Sequence, residues 1–140
     1  MEDKFYIHEE TKEAYVSTKT AKLLKKSGFE WAGHGFVGSE FYPNSDVKNW
    51  NDRHNVGIDY IFTVPTQSQA LKWFREVKNV IIEVEFAHHK YFLRYVDTNP
   101  HYTIGDGHWR KLGSNDGYDS YEEALEVGIE KCLEMILNER

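Results

Sequence analysis

Between Pro65 and Phe86 the apolar residues change their spacing from one in three or four to one in two, and no single regular element satisfies both. Thr66-Gln67-Ser68-Gln69 has the form of a capping box, and Ala70, Trp73, Phe74 and Val77 follow at helical spacing, which predicts a helix from about Gln67 to Lys78. After Asn79, residues Val80, Ile82, Val84 and Phe86 alternate with Ile81, Glu83 and Glu85, the pattern of a strand with one buried face. Ala87-His88-His89-Lys90 reads as a hairpin loop and Tyr91 to Val96 as the returning strand. Asn99-Pro100 makes a turn, and Tyr102 to Leu112 holds one or two weaker strands around Gly105-Asp106-Gly107. Ser120-Tyr121-Glu122-Glu123 is a second capping box. It opens a helix from Tyr121 to Leu137 with an apolar stripe of Tyr121, Ala124, Leu125, Gly128, Ile129, Cys132, Leu133 and Ile136. Gly128 costs helix propensity inside that stripe, so close approach of helix to sheet is the expected reason. The reading is an α+β fold: a small antiparallel sheet packed by two capped helices, with a helix-strand-strand-strand-helix core.

Ahead of this core, Ser17 caps a short helix that carries Lys19, Lys22, Lys25 and Lys26 and stops at Gly28. Phe29 to Val64 is rich in aromatics, Gly, Asn and Asp, which predicts short strands and ordered loops packed against the rest. With 140 residues and 40% hydrophobic content the chain suits one domain, 1–140, with one core. The apolar runs are far short of the roughly 20 residues of a membrane span. Acidic Glu2 and Asp3 stand where a signal peptide would be basic, so a cytoplasmic location and no membrane contact are expected. Cys132 is the single cysteine; it cannot pair internally, and on an apolar helix face beside Glu130 and Glu134 it reads as a packed thiol.

The net charge is −6, and the excess is carried by residues beyond 112. Glu122, Glu123, Glu126, Glu130 and Glu134 read as a solvated helix face, which makes duplex DNA an improbable ligand there.

Through Pro65-Thr66-Gln67-Ser68, Lys72-Trp73-Phe74-Arg75-Glu76-Val77 and Asn79, with Tyr121-Glu122-Glu123-Ala124-Leu125-Glu126 and Gly128, the chain resembles a family of uncharacterised small proteins from gut anaerobic bacteria and their prophages. The likeness is firmer over residues 64–137 than over 15–32. It implies a genomic setting and supplies no catalytic residues. The element order after residue 66 also resembles double-stranded RNA-binding domains, but a last helix with Lys131 as its lone cation lacks their basic footprint. Strands followed by Tyr-Glu-Glu-Ala-Leu and a long helix further resemble HicB-like antitoxin domains in pattern.

Several constellations invite chemistry. Gly33-His34-Gly35-Phe36-Val37-Gly38 spells a dinucleotide fingerprint, yet Pro43 soon after it blocks the helix that fingerprint must open. Asp97, His101, Asp106 and His108, with His88 and His89, are the densest metal-type grouping, but no pair has a recognised metal-ligand spacing and no metal is expected. Asp46, Asp52, His54 and Asp59 could provide acid and base groups, although turn chemistry accounts for them. No catalytic residue or cofactor is assigned. The candidate binding residues are the aromatics Trp31, Phe36, Phe41, Tyr42 and Trp50 with the lysines Lys22 and Lys25. They suit three functions: a non-enzymatic accessory protein of a bacterial mobile element that binds another protein, a single-stranded nucleic-acid binder, or, with the histidines and aspartates, a metal-dependent hydrolase.

Overall fold

The computed structural model describes residues 6–8, 12–33, 35–37, 41–42, 51, 62–98 and 109–138, with backbone alone for Phe36, Val37, Phe41 and Tyr42. Helix α1 spans Thr18–Lys26. The Ser17 hydroxyl accepts the Thr20 N–H at 3.1 Å and so satisfies one of the amides that a helix start leaves open. The helix ends at Ser27, and Gly28 takes φ +95°, which a side chain would strain.

The aromatic segment adds a sheet of its own. Strands β1 (Gly35–Val37), β2 (Phe41–Tyr42) and β3 (Phe62–Val64) pair antiparallel in the order β2-β1-β3. Gly35 therefore opens a strand, and the dinucleotide reading of Gly33 to Gly38 has no helix to stand on. Asn51 ties this sheet to the end of α1: its amide donates to the Phe29 carbonyl at 2.9 Å and accepts the Thr63 N–H at 3.1 Å. Residues 14–16 run beside 65–67, joined by Val16 N–H to Pro65 O and Gln67 N–H to Ala14 O.

Helix α2 (Gln67–Trp73) begins with both halves of the capping box in place. Its continuation, Phe74–Lys78, is a π-helical turn that ends at Asn79 in the left-handed region, φ 59°. The wider turn sets Val77 back around the axis, so Val77, expected on the buried face, is 45% exposed. Strands β4 (Val80–Ala87), β5 (Lys90–Asp97) and β6 (Arg110–Leu112) then form the expected antiparallel meander, in the order β4-β5-β6. His88 and His89 are the two central residues of the tight β4–β5 turn, both with positive φ, the arrangement that matches strand twist.

Helix α3 (Tyr121–Asn138) lies across β4 and β5. Ser120 caps it by accepting the Glu123 N–H at 3.1 Å. A Cβ on Gly128 would stand 2.9 Å from Leu93 Cδ2 and 3.1 Å from Ile82 Cγ2, which is the close approach its position implied. One apolar cluster joins Leu24 of α1, Val64 of β3, Trp73 of α2, Leu93 of β5 and Ile129 and Leu133 of α3. The chain is thus an α+β fold.

Two expectations fail at the edges of this core. Phe86 and Tyr121, expected on buried faces, are 60% and 46% exposed; both stand at the turn end of the hairpin, each in ring contact with Tyr91. The acidic face of α3 is not wholly solvated either. Glu126 is buried against α1, where one carboxylate oxygen accepts the Ser17 N–H at 2.9 Å and the Thr20 hydroxyl at 2.6 Å. Glu130 meets Lys19 at 2.6 Å, a hydrogen bond and charge contact that raise the Lys19 pKa. The negative charge of α3 therefore complements α1.

Candidate functional site

Side chains alternate across a strand, so the face of β4-β5-β6 turned away from α3 carries its own row of residues. In register across it stand Glu83, Arg94 and Lys111, with Glu85 opposite Phe92. Trp109, one residue before β6, lies over this row: the Arg94 guanidinium carbon sits 4.5 Å from the Trp109 ring centroid while its Nη2 donates to Glu83 Oε1 at 2.7 Å. Arg94 Nε is buried and makes no hydrogen bond among the described residues. Trp109 itself is 41% exposed.

Glu85, Phe92, Arg94, Trp109 and Lys111 line a cavity of about 420 Å³ that His88 of the β4–β5 turn and Ser114 and Asn115 beyond β6 also border. That volume is within the range of small-molecule and side-chain pockets, roughly 300–1,000 Å³. Chemically it offers two aromatic surfaces, Phe92 and Trp109, beside the cations Arg94, Arg110 and Lys111 and the carboxylate of Glu85. The cavity runs along β6, an edge strand among the described strands. It can seat an apolar or aromatic group and hold a flanking negative charge.

A second exposed aromatic group stands on the α3 side of the same hairpin. The Phe86 and Tyr91 ring centroids are 5.0 Å apart, and Tyr91 meets Tyr121 edge-on at 6.4 Å. Lys90 reaches Asp119 beside them, which raises the Lys90 pKa through that hydrogen bond.

The residues singled out in the sequence are distributed differently. Lys22 and Lys25 do come together, with Lys26, around a cavity of about 260 Å³ floored by Phe29 and Asn51, but Glu30 lines it too. Trp31 lies apart from that cavity, half-buried against Phe29 at 6.2 Å with the Lys72 ammonium 6.0 Å from its ring. Part of its ring stays exposed, with that cation near one face. Phe36, Phe41 and Tyr42 are placed by backbone pairing in β1 and β2. Trp50 lies outside the described residues, as do Asp46, Asp52, His54, Asp59, His101, Asp106 and His108. His88 and Asp97 are at opposite ends of β5, about 23 Å of extended strand apart at ~3.3 Å per residue, so they cannot share a metal ion. Among the described residues no three His, Cys, Asp or Glu side chains gather as metal ligands.

Cys132 is buried, and burial pushes its thiol up to about 12, so the nucleophilic thiolate is suppressed at neutral pH. Among the described residues no helix is long and apolar enough to cross a membrane. The groove beneath Trp109 was missed in the sequence because Trp109-Arg110-Lys111 sits in a weakly patterned stretch; the signal available was an indole beside two cations at the start of a strand. Comparison with protein-family models, curated proteins and solved structures gives no match.

Proposed function

We propose that this protein is a non-enzymatic binding module, an accessory protein of a bacterial mobile element as its family likeness implies, that takes an extended segment of a partner protein along β6. The observation that carries this reading is the groove of Phe92, Arg94, Trp109 and Lys111 beside a strand that is at the edge among the described strands. An extended peptide adds main-chain hydrogen bonds at such an edge and gains specificity from alternate side chains entering pockets. Phe92 and Trp109 suit an aromatic or aliphatic anchor, and Lys111 suits an acidic neighbour. Single-stranded nucleic acid would find the same stacking surfaces and the cations Arg110 and Lys111, but Glu85 lines the groove among them and Arg94 is paired with Glu83, so the basic track is short and interrupted. The protein reading is therefore favoured.

Selection from a random peptide display library tests it. Wild-type protein should enrich peptides with an aromatic or aliphatic anchor next to an acidic residue, and Trp109→Ala should weaken the selected peptides at least tenfold with unchanged far-UV circular dichroism. Enrichment that survives Trp109→Ala, or salt-sensitive retention of oligothymidine with no peptide enriched, would overturn it.

A further inference from the structure

A second cavity, of about 370 Å³, opens on the opposite side of β6 between the π-helical turn and the last turns of α3. Its walls divide by chemistry. Val77, Val80, Met135 and Ile136 supply apolar surface, while Lys78 and Arg110 stand at the rim with Asp97 as the one carboxylate. Two cations against one anion leave the rim with a single positive charge beside those apolar side chains.

The backbone is arranged to keep this pocket open. A regular α-helix would have carried Val77 into the core with Trp73 and Phe74; the π turn instead turns it to the surface. Such turns are rare and recur at functional sites. The strand that follows is locked in place: Asn79 holds φ 59°, and its carbonyl accepts both the N–H of Thr98 at 2.7 Å and its hydroxyl at 2.9 Å. Lys78 is steered by Trp73, whose ring centroid is 5.5 Å from the ammonium. A helix irregularity, a clamped left-handed residue and a cavity with both apolar and charged walls coincide at one place.

We propose that this cavity binds a small organic anion with an apolar tail, a medium-chain carboxylate in class. The tail lies on Val80, Met135 and Ile136, and the carboxylate meets Lys78 and Arg110. The chain has two methionines, Met1 and Met135, so a ¹³C-methyl spectrum reports on the pocket through one internal signal. Octanoate should shift the Met135 signal saturably and at least tenfold more tightly than octanol, which has the same tail without the charge. Lys78→Gln should remove most of that preference, and Ile136→Trp, which fills the pocket, should abolish the shift while thermal melting shows the protein folded. A Met135 signal that octanoate leaves unmoved, or equal affinity for octanoate and octanol, overturns the proposal. Trp109→Ala should leave octanoate binding intact, which separates this site from the peptide groove; loss with that variant also overturns it.

Discussion

Cys132 lies in the core cluster with Ile129 and Leu133, and its thiol is held neutral by the absence of water around it. An unfolded cysteine ionises near 9, whereas the folded one resists until about 12. Between those values the unfolded chain binds fewer protons than the folded chain, so stability is complete below about pH 9 and declines as the pH rises. The slope attributable to this group approaches about 1.4 kcal/mol per pH unit. Urea unfolding at intervals from pH 8 to 10.5 should show it, and Cys132→Ala, although less stable at every pH, should lack that component of the slope. Equal slopes in the two proteins would mean that the thiol is hydrated. The same burial makes Cys132 a core residue, as its apolar helical spacing indicated. Glu126 teaches the contrary lesson, because a glutamate flanked by others at helical spacing gives no local sign that it is buried, and only its contact with Ser17 and Thr20 explains it.

Among the elements, α3 and the β4–β5 hairpin fit so closely that Gly128 has no room for a side chain. Gly128→Val should push against Leu93 and Ile82 and destabilise by about 2–3 kcal/mol, the cost of overpacking, with the shift read from urea midpoints at constant m-value. Gly128→Ala should be milder, since about 1 kcal/mol of helix propensity is recovered. A neutral Gly128→Val would show that the helix can lift from the sheet. The capping boxes, the hairpin and this glycine were legible because each rests on local chemistry: a hydroxyl three residues from an amide, two residues between alternating strands, a missing Cβ in an apolar stripe. The π turn was not, since Ala70, Trp73, Phe74 and Val77 keep α-helical spacing up to the residue it displaces. The groove under Trp109 was illegible for a different reason: its residues come from β4, β5 and the approach to β6, and their meeting depends on strand register. The aromatics of the middle segment drew attention by composition, and among them Trp31 is half-buried against Phe29 with Lys72 near its ring.

Across the whole molecule, the first and last helices are joined by charge as well as by apolar contact. Ser17 and Thr20 of the α1 start hold Glu126, Lys19 holds Glu130, and Leu24 shares a core with Ile129. α1 has nine residues, too few to persist alone in water. A chain ended at Gly117 should therefore lose protection of Thr18–Lys26 from protease, while the chain through Asn138 keeps it; equal resistance in the two would show that β3 and α2 suffice to hold α1.

Thr20 and Glu126 are separated by 106 positions. During synthesis at about 5–20 residues per second, the α1 segment must wait on the order of 5–20 s for the carboxylate that completes its docking. For that interval a lysine-rich amphipathic segment is on offer to whatever stands near the ribosome.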